Sequence, residues 1–152
     1  MCSSDLGTRE VTQRLAGVTA RLAGSGLALV APAEHGPWSQ RWARTAAARL
    51  LEQAPDLDAI VCGSDQLASG VVDAVTASGR RIPDDVAITG VDNWAIFALE
   101  TDPPLTTVDL NLEALGAGAV RDLFGVIDGE PVGSGVRRHP GSLVVRGSTE
   151  PP

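Results

Sequence analysis

Cysteine is nearly absent: the 152 residues carry only Cys2 and Cys62. Cys62 ends an unbroken apolar run that reads as a buried strand, so no disulfide framework is expected and a reducing, cytoplasmic setting fits. Long apolar runs are missing too. None approaches the ~20 residues a membrane span requires, and the N-terminus has neither the basic flank nor the apolar core of a signal peptide. Basic residues are scarce: 12 Lys and Arg stand against 19 Asp and Glu, a net charge of -7. Non-specific grip on nucleic acid comes from basic side chains that neutralise phosphates, so this chain is not expected to hold DNA by itself. The common catalytic signatures are also missing. There is no HExxH, no paired CxxC, no GxSxG elbow, no Walker loop and no GxGxxG after a strand. His35 and His139 are the only histidines, and no local motif sets either beside a serine and an aspartate. An enzyme is not expected, and neither a metal nor a cofactor is implied.

What is present suits one packed domain. Apolar residues make up 43% and charged residues 20%, inside the globular range, and a chain of this length buries about two thirds of its unfolded surface. The opening Met1-Cys2-Ser3-Ser4-Asp5-Leu6 resembles a translated sequencing adapter. Residues 1–6 are therefore read as an artefactual leader on a truncated chain, with Gly7 the first authentic residue.

Periodicity then lays out the elements. Val11, Leu15, Val18 and Leu22 recur at helical spacing between Thr8 and Ala23, and Gly24-Ser25-Gly26 stops that helix. Leu27 to Ala31 is a first apolar run, closed by Pro32. A helix near 40–53 follows, burying Trp42, Ala46, Leu50 and Leu51 behind Ser39 as N-cap. Residues 59–62 are a second run, 66–78 a helix closed by Gly79, and 86–91 a third run rich in β-branched residues. Strands apolar on both faces, alternating with helices, call for a covered parallel sheet, so the fold class is α/β. Beyond Pro103-Pro104, residues 105–108 precede a long helix at about 111–128, with Leu112, Leu115, Ala119, Leu123 and Ile127 on one stripe. Residues 136–146 read as extended with a bend at Pro140-Gly141, and the tail from Ser148 is expected to fray.

In an open parallel sheet, ligands bind beyond the carboxyl ends of the strands. Three loops qualify: His35-Gly36-Pro37-Trp38, Gly63-Ser64-Asp65 and Asp92-Asn93-Trp94. A carboxylate can accept from two adjacent hydroxyls, an amide or Arg can donate back, and an indole can cover the C–H face of a ring. That is chemistry for a sugar-like ligand, and Arg14 on the first helix can add a forked donor. Each residue also has a plainer reading. Asp65 suits a helix N-cap, Asp92-Asn93 a turn, Trp38 a loop aromatic folded onto the core, and Arg14 a solvated helix charge.

The runs Ala59-Ile60-Val61-Cys62-Gly63-Ser64-Asp65-Gln66 and Arg81-Ile82-Pro83-Asp84-Asp85-Val86-Ala87-Ile88-Thr89-Gly90-Val91-Asp92-Asn93 resemble the effector domain of the lac repressor (LacI/GalR) family. Arg14-Leu15-Ala16-Gly17, Pro103-Pro104-Leu105-Thr106-Thr107-Val108, Leu115-Gly116 and Leu143-Val144-Val145-Arg146-Gly147-Ser148-Thr149 extend the likeness in the family's order, over about residues 7–149. The resemblance implies a parallel three-layer α/β/α lobe of a two-lobed, periplasmic-binding-protein-like core. Residues 7–149 would be mostly the second lobe, with about 109–130 returning toward a missing first lobe and 150–152 a tail. Half of the interlobe cleft would be lost. By matching position, Asp92 and Arg14 would bond the effector, Trp38 would stack on it, and Ser64 and Asp65 would line the floor beside Asn93. Glu10 departs from the small polar residue common there and could change which hydroxyls are read.

The implied function is sensing of a sugar or similar polyol. Its binding would control operator contact allosterically through an absent helix-turn-helix headpiece, in a homodimer. The helix after Asp65 and the apolar Ile96, Phe97 and Leu99 are candidates for the dimer face. A sugar-binding protein of a transport system shares the fold. The Leu-Thr-Thr-Val segment and the Val-Val-Arg-Gly-Ser-Thr ending favour the regulator.

Overall fold

Two serines start the helices that build the core. Ser39 and Ser64 are in extended backbone, and their hydroxyls accept from the N–H of Trp42 at 3.3 Å and of Leu67 at 3.2 Å. Each satisfies one donor that the first helical turn leaves free. The helices that follow are α2 (Gln40–Gln53) and α3 (Asp65–Ala77). They bury Ala43, Ala46, Ala47 and Leu50 against Ala68, Val71 and Val75. The sequence reading left the cap role at this second helix open to Asp65; it falls to Ser64.

The computed structural model describes residues 2–4, 9–131 and 133–150. In chain order the remaining elements are β1 (Cys2–Ser4), α1 (Arg9–Ala23), β2 (Glu34–Gly36), β3 (Ala59–Val61), β4 (Ala87–Val91), α4 (Ala95–Ala98), β5 (Thr106–Asp109), α5 (Leu112–Ile127) and β6 (Ser142–Val144). The fold is α/β. One sheet runs β3-β4-β5-β6, parallel except for β6, which pairs antiparallel to β5; β1 and β2 form a separate parallel pair. Ile60, Val86, Ile88 and Leu105 complete the core under α3.

Three expectations are corrected. The first apolar run is not a strand: Leu27 and Val30 are exposed, and the paired residues are Glu34–Gly36, opposite Cys2–Ser4. Residues 28–31 line a small cavity together with Asp58–Val61 beside β3, but among the described residues they join no ladder, whatever their propensity. Of the extended stretch 136–146, only Ser142–Val144 joins the ladder. Ser148 does not fray but is fully buried. Its hydroxyl donates to the Ile88 carbonyl at 2.6 Å and accepts from the Thr106 N–H at 2.8 Å, tying β4 to β5. Of the expected leader 1–6, Cys2–Ser4 forms β1 and the rest lies outside the described residues, as do residues 151 and 152.

Helix α5 follows its expected stripe but has little to pack on. Leu112, Leu115, Leu123 and Ile127 are all exposed, and Gly118 alone is buried, beneath the His139 ring.

Candidate functional site

The ends of β3 and β4 and the face of α1 enclose an open cavity of about 420 Å³. Glu10 and Arg14 reach it from α1, Trp38 from the loop after β2, Ser64 and Gln66 from the start of α3, and Asp92 and Trp94 from the loop after β4. The carboxyl ends of parallel strands thus supply most of the rim, as open α/β sheets do.

The cavity is built from fixed donors and acceptors. Arg14 donates from Nη1 to the Gly63 carbonyl at 2.5 Å, which holds its guanidinium across the end of β3. The Ser64 Oγ already accepts the cap bond of α3, leaving its proton free for a ligand acceptor. Asp92 has φ 112° and Asn93 φ 56°, both in the left-handed region. The Asp92 N–H is fixed to the Val108 carbonyl at 2.9 Å. Trp38 and Trp94 stand 44% and 50% exposed at the opening, so two indole faces are available to a ligand. Phe97 stacks against Trp94 with centroids 6.4 Å apart.

Asp92 holds its proton to a higher pH than an ordinary carboxyl. Burial pushes its carboxyl up to about 6, against the pull of the Arg14 guanidinium and with the help of the negative Asp65. An unfolded chain releases this proton near 3.8, so the folded state retains it over the interval between. The contribution to stability is therefore present below that lower value and is lost as pH rises through about 6. Asp92→Asn is expected to raise the unfolding free energy at pH 7.5 by roughly 1–2 kcal/mol, discounted for solvent at the cavity mouth. It should make no such difference at pH 4. Urea denaturation at the two pH values checks this, and equal stabilisation at both would show that Asp92 is not strained by its ionisation.

Of the seven residues expected at the site, Glu10, Arg14, Trp38, Ser64 and Asp92 line the cavity, whereas Asp65 and Asn93 do not. Asp65 lies beneath it with no solvent exposure. Its Oδ1 accepts from the Thr107 hydroxyl at 2.5 Å and its Oδ2 from the Trp94 N–H at 3.0 Å. Burial pushes the Asp65 pKa up while these bonds pull it down. Asn93 turns toward the crossover strands, donating to Asp109 Oδ2 at 3.0 Å and accepting from Arg146 Nη2 at 2.7 Å. Gln66 and Trp94 were missed as lining residues. Trp94 closes a loop already singled out, but nothing in the sequence said that its side chain rather than that of Asn93 would face inward.

Two carboxylates, one guanidinium, an amide, a hydroxyl and two indoles suit a neutral polyhydroxy molecule. Among the described residues no cluster of His, Cys, Asp and Glu could hold a metal ion.

An open parallel sheet with a polar, aromatic-rimmed cavity at its carboxyl edge defines a ligand-binding α/β lobe. Residues 2–149 match the periplasmic binding protein-like domain, and the chain belongs to that family. It is 38% identical over 116 residues to the HTH-type transcriptional regulator MalR of Streptomyces coelicolor, covering 76% of this chain and 33% of the relative. Among solved structures it resembles the lac repressor dimer bound to operator and an anti-inducer, with 28% identity and a TM-score of 0.88 over 97% of this chain and 44% of that one. It also resembles a transcriptional regulator CelR–cellobiose complex, with 30% identity and a TM-score of 0.80 over 97% and 46%. The chain thus spans about a third of that curated relative and less than half of those solved chains.

Proposed function

We propose that this chain is the effector-binding part of a LacI-type transcriptional regulator, and that a small neutral sugar in the Asp92 cavity sets the affinity of the whole protein for its operator. The convergence of Asp92, the anchored Arg14 fork and the indoles of Trp38 and Trp94 on one cavity carries this reading. The cellobiose held by the CelR relative supports a sugar. The operator and anti-inducer in the lac repressor structure support control of DNA binding. The net charge of -7 supports DNA contact through a separate headpiece rather than through this chain. The exposed apolar stripe of α5 supports the return of residues 109–130 to a first lobe, which would close the cleft. Homodimerisation, a cytoplasmic setting and the absence of catalysis go with the same reading. No described helix is long and apolar enough to cross a membrane.

The test is calorimetric titration of the full-length protein with cellobiose, lactose and a panel of neutral monosaccharides, paired with gel-shift assays on its own promoter. One neutral sugar should bind and change promoter affinity at least about fivefold. Sugar binding without any DNA binding would favour a transport protein instead, and no sugar binding at all would overturn the reading.

A further inference from the structure

Asp65 is a carboxylate placed where water cannot reach it, and it does not face the cavity. A buried carboxyl is costly unless its oxygens are fully engaged. Both are. Oδ1 takes the Thr107 hydroxyl of β5 and Oδ2 takes the Trp94 backbone N–H. The packing around it is equally specific. At Gly90 an added Cβ would lie 2.1 Å from Asp65 Oδ1, so the missing side chain leaves room for the carboxylate against β4.

The segment between Gly90 and Trp94 contains the strained turn. Asp92 and Asn93 both have positive φ without being glycine, a conformation that persists only where surrounding contacts over-determine it. Asp65 supplies such contacts on both sides of that turn. It fills the space over Gly90 before the turn and holds the N–H of Trp94 after it. Asp92 and Trp94, the two residues whose direction the turn sets, line the cavity.

We infer that Asp65 is a positioning residue whose buried carboxylate clamps the 92–94 turn, so that the Asp92 carboxylate and the Trp94 indole are presented to the ligand. The inference rests on the sugar-site reading for its purpose but not for its test. Asp65 also acts on Asp92 by charge. The ionisable groups facing Asp92 are Glu10 and Arg14 from α1 and Asp65 from α3, and Asp65 opposes its ionisation.

The test uses full-length protein labelled with 5-fluorotryptophan, with the Trp94 fluorine resonance assigned from Trp94→Phe and followed without sugar. In the wild type this resonance should titrate with Asp92, near pH 6. Thr107→Val removes the donor to Oδ1, and with it the Oγ1 that accepts from the Asn93 N–H at 3.4 Å in the same turn, and should shift and broaden the Trp94 signal, while Thr107→Ser restores it. Asp65→Asn keeps the shape but removes the charge, and should move the titration midpoint down by about half a unit. With cellobiose as probe, Thr107→Val should weaken binding about tenfold if the wild type binds it. An unchanged Trp94 resonance in Thr107→Val, or an unchanged midpoint in a folded Asp65→Asn, overturns the inference. If Asp65→Asn does not fold, the two Thr107 variants decide alone. Failure of the wild type to bind any sugar counts against the sugar reading and leaves the fluorine result to judge the clamp.

Discussion

If the full-length protein is the sugar-responsive regulator proposed above, Asp92→Ala is expected to abolish its response to sugar while promoter affinity stays at the wild-type level. The carboxylate is the one cavity acceptor fixed by a strained backbone turn and faced by the Arg14 guanidinium. Its two oxygens can accept from adjacent ring hydroxyls, and each hydrogen bond to a charged group contributes about 1.5–3 kcal/mol. Losing two such bonds weakens sugar binding at least about 100-fold. Promoter affinity should hold, because Asp92 lines the proposed sugar cavity and a headpiece would make the DNA contacts. Sugar-dependent gel shifts measure both quantities at once. An unchanged dose response would remove Asp92 from the site, and lost promoter binding without sugar would mean that the substitution damaged the fold instead. The same side chain costs stability at neutral pH, so Asp92→Asn should separate the two effects: firmer folding, weaker sensing.

Gly70→Ala should be a strongly damaging single methyl in the core. The Cβ it adds would lie 2.2 Å from the Gln40 carbonyl oxygen and 3.0 Å from the Ala43 Cβ. The carbonyl belongs to the backbone of α2, so relief requires the two helices to move apart. Those helices carry much of the buried cluster, with Ala43, Ala46 and Ala47 at no more than 0% exposure. Over-packing of this kind costs about 1–3 kcal/mol and occasionally more, with the upper end expected where backbone opposes the new methyl. Gly116→Ala makes a useful control, since nothing lies within 4 Å of a Cβ there, and replacing glycine within a helix stabilises by about 0.5–1 kcal/mol. Urea unfolding of both variants measures the contrast. Equal midpoints would mean that α2 and α3 do not pack through Gly70.

Much of this architecture is written in the spacing of apolar residues. The stripes of α2 and α3, the N-cap at Ser39, the β-branched run of β4 and the long α5 follow from periods of 3.6 and from both-face burial. Strand existence was less readable. Leu27 to Ala31 has the composition of a strand and is not one, while Glu34–Gly36 has little strand character and pairs. Pairing depends on which edge the rest of the chain brings alongside. Ser148 was read as tail because it lies near the end of the chain, yet its hydroxyl bonds to backbone of both β4 and β5. Contacts 42 and 60 residues apart in sequence leave no local trace.

The sequence by itself determined the α/β class and the loops after β3 and β4, because apolar runs and helix starts can be read from the spacing of residues, and its motifs carried the family resemblance. Only the tertiary structure decided which residue within each loop faces inward. In Ser64-Asp65-Gln66 the outer two line the cavity and the middle one is buried beneath it; in Asp92-Asn93-Trp94 the outer two again line it and the middle one turns to Asp109 and Arg146. Successive residues entering a helix rotate by about 100°, and those in a left-handed turn follow dihedrals that no side-chain pattern records. The direction of each side chain is therefore set by the partners that Thr107, Asp109 and Arg146 provide from distant parts of the chain.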